Sequence, residues 1–84
     1  MKPIVMYTTM FCPYCTAAKS LLTKKGIPFE EIDATGNPAL REEIKQRSGQ
    51  HTVPQIFIGD ESIGGFSELS ELEVCGELDE MLAE

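Results

Sequence analysis

Apolar positions fall into short segments whose spacing alternates between the strand period and the helix period. Residues 2–7 hold an unbroken apolar run, Ile4 to Tyr7, and predict a first strand. Residues 12–25 follow with Ala17, Ala18, Leu21 and Leu22 at helical spacing. Gly26 is placed to stop that helix, with Pro28 just beyond it. Residues 29–33 predict a short second strand. Asn37 suits an N-cap and Pro38 a first helical residue, so a second helix is expected to reach about Arg47 and end at Ser48-Gly49. Residues 55–58, the Gly59-Asp60 turn and residues 62–64 predict a β-hairpin. Ser67 is the expected cap of a helix carrying Leu69, Leu72 and Val74. Gly76 breaks that helix, and Leu78, Met81 and Leu82 suggest one or two further helical turns.

The order β-α-β-α-β-β-α predicts an α/β fold, a four-stranded mixed sheet flanked by helices. The crossover between the first two strands is expected to be parallel and right-handed. Eighty-four residues suit a single domain, residues 1–84. The short apolar runs cannot build a spanning helix or a signal-peptide core, which predicts a cytoplasmic protein away from the membrane.

Charge changes the picture because it is uneven. The net charge of -7 excludes the basic footprint of a general nucleic-acid binder. Residues 1–59 carry all seven Lys and Arg and only five of the fourteen acids. Residues 60–84 carry nine acids and no base.

The three cysteines, Cys12, Cys15 and Cys75, are an odd set containing one tight pair, unlike a secreted disulfide framework. Cys12-Pro13-Tyr14-Cys15 lies just after a strand and opens a helix. Cys12 falls at the expected N-cap, Pro13 at the first helical position and Cys15 at the third. The Cys12 sulfur then meets free backbone N–H groups and the positive end of the helix dipole, both of which favour a thiolate. Lys19, two turns along from Cys12, adds positive field. One helical turn brings the two cysteines within disulfide reach.

Taken together, Cys12-Pro13-Tyr14-Cys15 after Tyr7-Thr8, then Thr52-Val53-Pro54-Gln55-Ile56-Phe57-Ile58, then Gly64-Gly65-Phe66-Ser67-Glu68-Leu69, resemble a dithiol glutaredoxin over essentially the whole chain. The resemblance implies a thioredoxin-like fold, a cis peptide before Pro54 and a glutathione-dependent thiol–disulfide oxidoreductase. Cys12 would be the nucleophile and Cys15 the resolving thiol. Glutathione would be a co-substrate, with no permanently bound cofactor and no metal. Implied partners are glutathionylated or disulfide-containing proteins, ribonucleotide reductase among them, served by a monomer.

The residues support a glutathione site on their own chemistry. Val53 backbone groups, between Thr52 and Pro54, can pair with a peptide as an added strand does. The start of the helix capped by Ser67 offers N–H groups to a carboxylate, and the resemblance implies that the backbone of Phe66 and Ser67, beside Gly65, holds the γ-glutamyl end there. Glu68 is placed to accept from an ammonium, and the aromatic ring of Tyr14 to frame the ligand. The glycine carboxylate needs a cation. Relatives often carry Lys where this chain has Thr9, which leaves Arg47, Arg41 or His51 as candidates.

Other readings use the same residues. Cys12, Cys15, Cys75 and His51 could form a Cys₃His zinc set, although their gaps are not those of a short zinc motif. An iron–sulfur cluster shared between two chains is known among glutaredoxin relatives, and Pro13 disfavours it. A glutaredoxin-like protein served by thioredoxin reductase would carry an Arg-Pro segment near the hairpin, where this chain has Gly64-Gly65-Phe66. Cys75 reads as a small helix-end residue or as a regulatory thiol.

Overall fold

The computed structural model describes residues 2–83. Its elements are β1 (Ile4–Thr8), α1 (Pro13–Lys24), β2 (Glu30–Asp33), α2 (Pro38–Ser48), β3 (Gln55–Ile58), β4 (Glu61–Gly64), α3 (Phe66–Val74) and α4 (Glu77–Ala83). The strands form one mixed sheet in the order β2-β1-β3-β4. β1 runs parallel to β2 and antiparallel to β3, and β3 and β4 make the expected hairpin.

Alternation along the strands divides the core between two faces. Ile4 and Met6 from β1, with Ile56 and Ile58 from β3, meet Ala18 and Leu22 of α1, Leu69 of α3, and Leu78 and Leu82 of α4. The opposite face is smaller: Tyr7, Ala34 and Phe57 pack with Ile44 of α2. All four residues of the inner strand β3 are buried, whereas β2 is an edge strand with three exposed residues. Val74, expected on the apolar stripe of α3, is 84% exposed. It lies five residues after Leu69, off the i, i+3, i+4 face.

Helix ends follow the expected chemistry with one exception. Asn37 caps α2, its side chain accepting from the Leu40 amide at 3.1 Å, and Gly49 ends it in the left-handed region. Gly26 does the same after α1. The exception is α3, whose N-cap lies two residues before Ser67. Gly65 is its N-cap, and the Glu68 carboxylate reaches back to accept from the Gly65 amide at 2.7 Å. Gly64, at φ +113°, makes the turn into the helix, and a side chain there would collide with the Glu68 carboxylate.

The acidic C-terminal region is partly neutralised by the front of the chain. Lys25, at the end of α1, pairs with Glu73 of α3 at 2.8 Å and with Asp79 of α4 at 3.2 Å. Glu73 and then Asp79 hold the Lys25 ammonium above its ordinary pKa. Among the described residues, no helix is long and apolar enough to cross a membrane.

Candidate functional site

β1 delivers the chain to the end of the sheet, where a short loop turns it into α1. Phe11 sits at φ +57° in that loop, and Cys12 follows as the N-cap of α1 in extended backbone, φ −110° and ψ 102°. Pro13 is the first helical residue and loses no helical hydrogen bond there. The Cys12 sulfur accepts from the Cys15 amide at 3.1 Å, one of the first-turn N–H groups that lack an intrahelical partner. Fixed N–H dipoles aimed at a sulfur stabilise negative charge on it.

Cys15 lies one turn inside the helix and faces the core, 2% exposed. Burial pushes its thiol up from 9.0 to about 11, and the hydrogen bond to Cys12 adds to that rise. Lys19, one further turn along, acts in the opposite direction. The pair is therefore asymmetric, with a half-buried sulfur on helix N–H groups and a protonated one beneath it.

The Val53–Pro54 peptide is cis, as the family resemblance implies. The Val53 carbonyl lies 3.7 Å from the Cys12 sulfur, so segments 41 residues apart in sequence converge there. Beside them runs a groove of about 280 Å³ that includes Tyr14, Thr52, Val53, Pro54, Phe66 and Ser67 in its lining. Gly65 and Glu68 line it too. The rings of Tyr14 and Phe66 stack at 6.4 Å between centroids, and Tyr14 is two-thirds exposed. A side chain at Gly65 would press on the Pro54 carbonyl at 3.3 Å, so glycine lets the start of α3 close onto this loop.

Some expected site residues have other positions. Glu68 lines the groove, but one of its carboxylate oxygens is already committed to the Gly65 amide. Arg47 lies on the far side of the sheet. Its guanidinium donates to the Tyr7 hydroxyl at 3.0 Å and rests 4.3 Å over the Phe57 ring. Leu40, Ile44 and Arg47 share one face of α2, and that face packs on the sheet. Arg41 donates to the His51 carbonyl at 2.9 Å, just before Thr52. Thr9 and Lys19 line a different groove, on the opposite side of Cys12. Cys75 caps α3, its thiol donating to the Glu71 carbonyl at 2.9 Å. Among the described residues, no three His, Cys, Asp or Glu side chains are gathered as metal ligands, so Cys75 and His51 do not join the pair.

Two contributors escaped the sequence reading. Gln55, fully buried at the start of β3, donates its amide to Gln50 Oε1 and the Thr52 carbonyl at 3.0 Å, and to the Thr52 hydroxyl at 3.3 Å. It braces the loop that presents Val53. Gln50 in turn lines the groove. The available signal was a polar residue opening an otherwise apolar, fully buried strand.

Comparison with known proteins agrees with this geometry. The Glutaredoxin family profile matches residues 4–63. A glutaredoxin of Pseudomonas aeruginosa is 49% identical over 83 residues, covering 99% of both chains. Glutaredoxin 3 of Escherichia coli K12 is 49% identical over 82 residues, covering 98% of this chain and 99% of its own. The crystal structure of a buckwheat glutaredoxin–glutathione complex superposes with a TM-score of 0.90 at 31% identity, over 98% of this chain and 77% of that one. With its paired cysteines at a helix start, its cis-proline loop and its sheet order in place, the chain belongs to the glutaredoxin family.

Proposed function

We propose that this thiol–disulfide oxidoreductase uses glutathione, as a co-substrate and not as a bound cofactor. One observation carries the reading: the Cys12 sulfur sits on the Cys15 amide beside the Val53 carbonyl, next to a groove sized for a short peptide. In the first step the Cys12 thiolate attacks the glutathione sulfur of a mixed disulfide. A Cys12–glutathione disulfide forms and the target leaves as a thiolate. A second glutathione thiolate then attacks that same glutathione sulfur, glutathione disulfide departs, and Cys12 is restored. Backbone groups of Val53 pair with the tripeptide as an edge strand would. First-turn N–H groups of α3 at Phe66 and Ser67 take one carboxylate. Arg41, which donates to the carbonyl preceding Thr52 and lines the adjoining groove with His51, is the cation we propose for the other. The complex seen in the buckwheat relative supports glutathione as the ligand class.

For a protein disulfide, Cys12 forms a mixed disulfide with the substrate. Cys15 loses its proton and attacks the Cys12 sulfur, which releases the reduced protein and leaves a Cys12–Cys15 bridge. A thiol reductant reopens that bridge. The deciding measurement is turnover of a cysteine–glutathione mixed disulfide coupled to glutathione reductase. Cys12→Ser is expected to fall at least roughly a thousand-fold, to background. Retained turnover in that variant, or none in the native protein, overturns the reading.

A further inference from the structure

Cys12 borders a second groove, on the side away from Tyr14, which the proposed glutathione chemistry leaves unused. It has a volume of about 570 Å³ and runs from Thr9 past Phe11 and Pro13 to Lys19 and Asp33. Its charges leave one carboxylate in excess, since Lys19 stands against both Glu31 and Asp33. Lys19 pairs with Glu31 at 3.0 Å, Glu31 also accepts from the Thr8 hydroxyl at 2.8 Å, and Asp33 accepts from the Thr35 amide at 2.8 Å. The one cation of this groove is thus already offset, which suits an anionic tripeptide poorly.

Against this mostly polar lining stand two large apolar side chains. Met10 is 57% exposed and Phe11 95%. Phe11 holds the left-handed backbone region that a bulky residue enters only against steric repulsion. The loop is braced in that shape, because the Met10 amide donates to the Thr35 hydroxyl at 2.8 Å and Cys12 is fixed at the helix start. A large aromatic ring is therefore held in solvent, one residue before the nucleophile.

We infer that this groove takes the polypeptide flanking the cysteine of a peptide or protein disulfide, with an apolar side chain of that segment packed on Phe11. The inference rests on the reading of Cys12 as the attacking sulfur. A sulfur under attack comes within covalent reach of Cys12, so its chain must pass over the neighbours of Cys12. Glutathione is short enough to remain on the Val53 side. A longer polypeptide continues past its cysteine in both directions and reaches Phe11. With its cation already paired and one carboxylate in excess, the groove gives an anionic segment no hold, and the contact that discriminates among uncharged segments is burial of apolar surface.

The test uses the Cys15→Ser, Cys75→Ser double variant, which leaves Cys12 as the only thiol. Two nine-residue peptides carry a central cysteine in disulfide linkage with 2-nitro-5-thiobenzoate, flanked by leucines in one and serines in the other. Cys12 attacks the peptide sulfur, a Cys12–peptide disulfide forms, and the coloured aromatic thiolate leaves. The leucine peptide is expected to react about five-fold faster, the ratio for burying roughly 40 Å² of apolar surface. Phe11→Gly, which suits the positive φ, should bring the two rates together, and Phe11→Leu should keep most of the difference. An unchanged ratio in Phe11→Gly, or equal slowing of both peptides, overturns the inference. Release from neither peptide overturns it together with the assignment of Cys12. Normal peptide discrimination without glutathione-dependent turnover supports it and removes only the glutathione reading.

Discussion

Cys12 and Cys15 are one helical turn apart and live in opposite surroundings. Cys12 belongs to the loop region at the end of the sheet, where its sulfur takes an amide hydrogen bond at 3.1 Å and meets the Val53 carbonyl. Cys15 belongs to the core region beneath it, on the buried face of α1 that Ala18 and Leu22 continue. One sulfur thus lies on a helix-start N–H group and the other is a thiol held protonated in the core. In the proposed mechanism, the division of labour between them follows from which side of the helix start each occupies.

The strongest test of that contrast removes the inner sulfur. Cys15→Ser fills the space with a smaller polar group and leaves the Cys15 amide available to Cys12. Turnover of a cysteine–glutathione mixed disulfide is expected to stay within about three-fold of the native rate. Release of a reduced protein from its Cys12 disulfide should fall by at least a hundred-fold when no glutathione is supplied, because no second thiol remains to displace it. Loss of both activities would show that the two sulfurs act as one unit and would erase the contrast.

How far this arrangement could be read from sequence depends on the range of the interactions. Local chemistry was legible. Pro13 at the first helical position placed Cys12 at a cap, Asn37-Pro38 opened α2, and Gly26 and Gly49 closed their helices. The start of α3 was misplaced because Ser67 is the stronger side-chain cap in isolation. The Gly64 turn and the returning Glu68 carboxylate make Gly65 the N-cap instead. Arg47 was read as a candidate cation for the glycine carboxylate because spacing did not show which way it faces, and its aromatic partners Tyr7 and Phe57 belong to other elements. Lys25 with Glu73 and Asp79, and Gln55 with Thr52, depend on the folded chain and have no local signal.

The pH dependence of the two sulfurs sharpens their difference by a smaller factor. With its thiol pushed to about 11, Cys15 is roughly one part in ten thousand ionised at pH 7. Burial is the largest cause and persists when Cys12 is in a mixed disulfide. Resolution by Cys15 is therefore expected to speed up about tenfold per pH unit from pH 7 to at least about pH 9. Attack by an ordinary external thiol should level off near about 8.5. Rapid-mixing measurement of both steps from a Cys12–peptide disulfide checks this. A plateau in the Cys15 step below pH 9 would place that sulfur in a polar setting, contrary to its 2% exposure.

The smallest expected effect concerns the charge pair at the edge of the inner sulfur. Lys19 favours the ionised form of Cys15, and Glu31 lies 3.0 Å from its ammonium. Glu31 is itself held below the usual carboxylate range, first by the Thr8 hydroxyl and then by Lys19, so it is charged at neutral pH and offsets part of that field. Glu31→Gln keeps an acceptor for Thr8 and removes the offset. It should move the midpoint of the Cys15 step down. Lys19→Met removes the source and should move it up. Lys19 is about 6 Å along the helix axis from Cys15, and both partners are over one-third exposed. Each shift is therefore about 0.3–0.5 pH unit, a two- to three-fold change in rate at fixed pH. Simple loss of an ion pair would lower thermal stability in both variants and leave the two midpoints together. Opposite displacements in the rapid-mixing profile, shrinking as salt is raised, are the signature of Lys19 acting on Cys15 through its field.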